Sequence, residues 1–265
     1  MIKTLFKKEW KYNYKIFLIF ISVITLYGSI IVAMFDPTLG ESLQMMAESM
    51  PQLFSAFGMS DPGSNMIEFV NNYLYGFILI VVPFIYIVIM CQRLIGRYED
   101  KGSMAYLLAT PHTRTKVILT QLFVLLSGIL LLVMYAFCLI LLCNGMMFDE
   151  SIPIKEFIVL NIGLLGMQSF FGAMCYLSMC AFHENKYALG VGTGAGIFFI
   201  LVQMLSQVSD KMEWLNYLTP LTLFNRDGLI ELESQAIFQM WILFVLAIIL
   251  MVLGTYLFKQ KDLSI

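Results

Sequence analysis

Six stretches of this chain, 16–35, 73–92, 117–143, 157–182, 187–208 and 236–258, contain no Asp, Glu, Lys, Arg or His. Each is at least 20 residues long, and about 20 mostly apolar residues suffice to cross a bilayer as a helix. A water-soluble fold of 265 residues has too little interior to hide all six. Composition agrees: 60% of residues are hydrophobic and 13% charged, against about 45–50% and 25% in soluble domains. A β-barrel is excluded, because its strands alternate polar and apolar residues. The net charge of −2 leaves no basic field for nucleic acid. The chain reads as an all-α membrane protein of six transmembrane helices forming one domain over 1–265.

Basic residues set the orientation. Five lysines precede the first span, and five Lys or Arg lie in 93–116. The loop 36–72 has none, and Lys155, Lys211 and Arg226 are the only ones on its side of the membrane. Thirteen basic residues thus face three, which predicts that both termini are cytoplasmic. The apolar core of the first span exceeds the 7–15 residues of a signal peptide, so it reads as an uncleaved span. Cys91, Cys138, Cys143, Cys175 and Cys180 lie in or at the ends of apolar runs, with no C-x-x-C pair. They read as packing residues.

The first 15 residues mix Ile2, Leu5, Phe6 and Trp10 with the lysines. Spacings of three to four put these apolar side chains on one stripe. That predicts an amphipathic interfacial helix over 1–15, with Leu5, Phe6 and Trp10 toward the bilayer; a basic flank that only sets topology is the alternative. In the loop 36–72, Leu43, Met46, Met50, Leu53, Phe54 and Phe57 predict short helices at the outer surface, as a cargo-gathering face or a lid. The loop 209–235, with Trp214, Tyr217 and Pro220, reads as a short re-entrant or interfacial helix pair.

The segment 93–116 is charged, with an apolar patch from Met104 to Leu108. Pro111 turns the preceding residue away from helix, and Thr113 is placed to cap the next one. A short helix, a proline turn and a new helix would make a knob for a soluble partner. An ordinary positive inner loop has the same composition.

Missing chemistry narrows function. No Asp, Glu, Lys, Arg or His lies within the six stretches, which disfavours a proton- or ion-coupled transporter. No H-E-x-x-H occurs, and His112 and His183 read as surface residues in inner loops. Gly190 to Gly196 lacks the G-K-[ST] ending of a phosphate loop. Gly192 and Gly196 instead form G-x-x-x-G, one turn after Ala188, which suits close helix packing. That packing is either within the subunit or across a dimer, the dimer being preferred. Gly163, Gly166, Gly172 and Ala173 read as packing positions in the fourth span. The result is a transport scaffold without its own energy source.

The pattern E-x-x-G…L-L-x-x-P-x-x-R-x-K after the second span, at Glu99, Gly102, Leu107, Leu108, Pro111, Arg114 and Lys116, resembles ABC type 2 permeases, the membrane subunits of bacterial ABC exporters. P-Q-L-F-S-A-F-G (Pro51 to Gly58) and the tail F-K-Q-K-D-L agree; Gln121 departs, where relatives often carry a basic residue. The resemblance implies a bacterial plasma-membrane permease for an amphipathic or hydrophobic cargo such as a peptide, drug or lipid-like compound. It implies pairing with a second copy or a homologous permease, contact with membrane lipids, and two cytoplasmic ABC ATPase subunits that bind the ATP and Mg. This chain would bind no cofactor and catalyse nothing. In the coupling loop 93–116, the part around Glu99 to Arg114 would be a short cytoplasmic coupling helix seated on the ATPase, and the first, second and fifth spans would line the pathway and dimer interface. A motor-independent secondary transporter or channel, or a membrane sensor subunit, is the alternative.

Overall fold

The computed structural model describes residues 1–35, 45, 49–57, 59, 63, 65–100, 112–148, 152–208 and 210–261. Among them there is no strand. The helices are α1 (Lys3–Ala33), α2 (Pro51–Ala56), α3 (Met66–Val70), α4 (Ile78–Cys91), α5 (Arg97–Asp100), α6 (Arg114–Met147), α7 (Ile154–Ala181), α8 (Asn185–Ser206), α9 (Arg226–Ile230) and α10 (Ser234–Gln260). Six spans are long and apolar enough to cross a membrane: α1, the composite Met66–Gly96, α6, α7, α8 and α10. The shortest has 22 residues, about 33 Å at 1.5 Å per residue, enough for a hydrocarbon core of about 30 Å.

Contacts far apart in sequence sort the helix ends into two sets. At one, the terminal end, Tyr98 meets Glu9, Arg114 meets Lys261 and Lys261 meets Met179. At the other, the distal end, Phe35 packs edge-to-face on Phe69 and Phe148, with centroids 5.5 Å apart in both pairs. Asn71 there bonds Asp227 at 2.7 Å. Up-and-down traversal of the six spans places both chain ends at the terminal end.

Helix α7 is the centre, packing on α10, α8, α4, α6 and α9. It is the least apolar of the six spans, yet 72% of its central window is buried, against 22% for α1, α8 and α10. This inversion is expected in lipid, where outward faces must be apolar and polar side chains turn inward to find partners. Asn161 of α7 accepts a bond from the Tyr75 hydroxyl at 2.9 Å, and the Ser178 hydroxyl donates to the Ala188 carbonyl at 2.6 Å.

The second span is the irregular one. It runs from α3 through a π-helical turn (Asn71–Tyr75), a break at Gly76 and Phe77, α4, and a second π-helical turn (Gln92–Gly96). Pro83 lies inside α4 and has no N–H for the carbonyl four residues back. That carbonyl belongs to Leu79. The fully buried Gln168 of α7 supplies the missing donor: its Nε2 lies 2.8 Å from Leu79 O and 3.1 Å from Ile80 O. Gln168→Leu is expected to strand the Leu79 carbonyl and lower stability by about 1–3 kcal/mol. Thermal unfolding in detergent would test this, and a variant as stable as the parent would remove Gln168 from that role.

The structure corrects two boundaries. The first 15 residues are not a separate helix: α1 runs unbroken from Lys3 to Ala33, with no Pro and its only Gly at 28 to interrupt it. Leu5 is buried, and Phe6 and Trp10 pack against the core, with Trp10 Nε1 donating to Ser127 Oγ of α6 at 3.1 Å. The stripe read as a lipid-facing surface therefore faces protein. The second span also continues beyond residue 92, because 93–100 are helical. The loop 209–235 does form compact helical turns, Asp210–Leu218 and Pro220–Leu223, followed by α9.

Candidate functional site

The terminal end carries a buried polar cluster centred on Glu9. Glu9 sits on the inward face of α1 and is fully buried. Three groups meet it. The Tyr98 hydroxyl donates to Glu9 Oε1. Asn13, one turn along α1, donates through Nδ2 to Oε2 at 3.4 Å. Arg97 lies 4.0 Å from Oε2 with its side chain 30% exposed, and its guanidinium stacks over the rings of Tyr98 and Tyr12 at 5.4 and 5.9 Å. The cluster fastens the start of α1 to α5, the helix that leads into residues 101–111.

Burial, then the hydrogen bond and charge of Glu9, push the Tyr98 hydroxyl up to about 12 from its ordinary 10.0, against the opposing charge of Arg97. A phenol that holds its proton more tightly when folded adds stability at every pH below its unfolded value, and the gain fades as pH rises from 10 to 12. The stability difference between the parent and Tyr98→Phe should therefore shrink across that window. A difference that stays constant across it would contradict the link to Glu9.

Of the seven residues matched to the coupling pattern, Gly102, Leu107, Leu108 and Pro111 lie outside the described residues. Glu99 lies in α5. Thr113 caps α6 as expected, its hydroxyl accepting from Lys116 N at 3.4 Å. Lys116 is exposed and Arg114 half-buried. Arg114 turns toward the chain's own tail, donating through a terminal nitrogen to Lys261 O at 3.2 Å. Lys261 is itself buried and donates to Met179 O, near the end of α7, at 3.4 Å. An ammonium there also complements the negative end of the helix dipole. The R-x-K step and the F-K-Q-K end of the last helix are thus brought into contact.

Ala188, Gly192 and Gly196 face inward from α8. A side chain at Gly192 would touch Ser178 and Cys175 of α7 at 3.2–3.3 Å, and one at Gly196 would run into the ring of Phe84 on α4. This corrects the preferred dimer reading of the G-x-x-x-G pair: its small residues seat α8 against its own subunit. Gly96 likewise gives way to Asn185 at the start of α8. His112 and His183 are exposed. Cys91, Cys175 and Cys180 are buried thiols.

Glu9, Arg97, Tyr98 and Lys261 escaped the sequence reading. Glu9 did leave a trace: it is the only acid in the first 35 residues, and Asn13 follows at the spacing of one helical turn.

Among the described residues no group of His, Cys, Asp or Glu is arranged to hold a metal ion. Six spans with inward polar contacts and charged clusters only near their ends define a multi-pass helical membrane protein. Residues 14–259 match the family described as the C-terminal domain of the multidrug efflux system permease Rv1217c. The chain belongs to this family of efflux permeases, and so is a transport subunit rather than a catalyst. None of the curated proteins compared with it matches.

Proposed function

We propose that this chain is the membrane subunit of an ATP-driven exporter of the ABC type 2 class, moving an amphipathic or hydrophobic cargo out of a bacterial cell. The observation that carries this reading is the efflux-permease match over 14–259 on a chain whose six apolar stretches hold no Asp, Glu, Lys, Arg or His. Export against a gradient needs an energy source, and without an in-membrane proton or ion relay that source is a separate motor. Two cytoplasmic ATPase subunits would bind the ATP and Mg, and the loop 93–116, around Glu99 to Arg114, would seat on them. The lysine-rich terminal end would be cytoplasmic. The helix from Arg97 to Asp100, rooted by Tyr98 on buried Glu9, is a stiff lever for force applied at that loop.

A second copy, or a homologous permease, would complete the pathway. The outward face of α8 is suited to this contact: Tyr187, Val191, Gly194, Phe198, Leu201 and Leu205 are all exposed and follow the alternating four-three spacing of a two-helix seam.

Mild-detergent purification of the tagged chain from its native membrane tests the motor. A stoichiometric ATPase should follow it, and Glu99→Lys should uncouple ATP hydrolysis from transport in a chain that still folds. Gradient-driven cargo flux by the purified chain without ATP would overturn the proposal. Arg114→Glu is a poorer probe, because Arg114 also holds the tail at Lys261.

A further inference from the structure

At the distal end a cavity of about 40 Å³ opens between the start of α4, the end of α8 and the turns before α9. Ile200, Met204, Leu221 and Phe224 line its apolar side, and Arg226, Gln203 and Gln207 its polar side. The Arg226 guanidinium makes one hydrogen bond, to Asn71 O at 2.9 Å, out of the five it can donate. No ion pair holds it: among the described residues the single salt bridge is Arg97 with Glu9 at the opposite end. Asp227, its neighbour in sequence, is held by Asn71 Nδ2 at 2.7 Å. Burial draws the Arg226 pKa below its ordinary value, with Asp227 opposing, yet a guanidinium stays charged at neutral pH. Gln203 Oε1 is buried without a hydrogen-bond partner.

A half-buried guanidinium with spare donors beside apolar side chains is suited to an anion that takes those donors up. The space matches about three water-sized groups, the bulk of a carboxylate or of the outer oxygens of a phosphate. A half-turn of the Gln203 amide, which exchanges its oxygen and nitrogen, would add a second donor. Helix α4 begins at the same cavity with no side-chain cap, and the positive end of its dipole favours an anion.

We infer that this cavity is a binding subsite for the anionic head of an amphiphile, a carboxylate or phosphate on an alkyl or aryl body. Arg226 and Gln203 hold the head, and Ile200, Met204 and Phe224 hold the first part of the body. The inference deepens the exporter reading, on which its physiological role rests: it places an anion-selective station at the exit end of the pathway. The amphiphile is either cargo or an anionic lipid, which share this headgroup chemistry.

The test uses the full chain in phosphatidylcholine nanodiscs, titrated with labelled dodecyl phosphate and, separately, with uncharged dodecyl maltoside. Dodecyl phosphate should bind the tighter of the two. Arg226→Gln should weaken dodecyl phosphate about tenfold or more, the worth of a charged hydrogen bond, and leave the maltoside unchanged. Ala56→Leu, at another wall of the cavity, should weaken dodecyl phosphate by filling the space while the Arg226–Asn71 bond persists. It decides the matter if Arg226→Gln fails to fold. Equal binding of the two amphiphiles, or no loss in the variants, would overturn the inference. Adding phosphatidylglycerol to the discs separates the sources: competition with dodecyl phosphate identifies a lipid headgroup, and its absence identifies cargo. Binding is read without ATPase or transport. A chain that binds through Arg226 but recruits no motor would therefore sink the exporter reading and keep the subsite, and the converse would sink only the subsite.

Discussion

Tyr98→Phe should destabilise the chain by about 2–3 kcal/mol, and Glu9→Gln by only about 1 kcal/mol. The order follows from which partner each change leaves stranded. Glu9 is fully buried, whereas the Arg97 side chain is 30% exposed. Removing the Tyr98 hydroxyl leaves the buried carboxylate with Asn13 at 3.4 Å and Arg97 at 4.0 Å, both long contacts. Glu9→Gln keeps an acceptor for Tyr98 and frees Arg97 to turn to water. Breaking a buried charged contact from the side that strands the charge is the expensive direction. The double variant should lie well short of the sum of the two losses, since the phenol is needed only while the carboxylate is there. Thermal unfolding of the three variants in one detergent measures all of this. A Glu9→Gln loss larger than that of Tyr98→Phe would mean that the charge itself, through Arg97, holds the cluster together.

The six spans were legible because lipid imposes one rule on every one of them, and a run such as 117–143 satisfies it without reference to any neighbour. The same rule hid what lies between the helices. An apolar stretch looks alike on its lipid and protein faces, so the central place of α7 showed only as a slightly higher polar content, at Asn161, Gln168 and Ser178. Thr113 was readable as a cap because capping is local. The partner of Glu9 was not, because Tyr98 lies 89 positions away. The stripe of Leu5, Phe6 and Trp10 was real, but periodicity reports that a face is apolar and not what covers it. Arg226 was counted only as a topology charge. Its place in a cavity depends on the break at Gly76, where an added side chain would lie 2.9 Å from an Arg226 nitrogen.

The largest effect belongs to α8, where two glycines two positions apart should behave in opposite ways. Any side chain at Gly196 runs into the ring of Phe84, a residue only 3% exposed, with Met174 closing the other side at 3.3 Å. Overpacking costs about 1–3 kcal/mol where neighbours can shift. Here they are held between α4 and α7, so Gly196→Leu should cost about 3 kcal/mol or more and yield little folded chain. Gly194 has nothing within 4 Å of an added side chain. Gly194→Leu should leave the stability of the subunit no lower than the parent's. Its consequence would appear elsewhere. Gly194 lies in the outward row from Tyr187 to Leu205, where a small residue lets a second backbone approach, and a leucine there would hold a partner helix off. Crosslinking in native membranes and mass measurement in nanodiscs should therefore show Gly196→Leu lost to misfolding and Gly194→Leu folded but monomeric. A folded Gly194→Leu that remains dimeric would assign the outward seam to lipid and move the permease–permease contact to another helix.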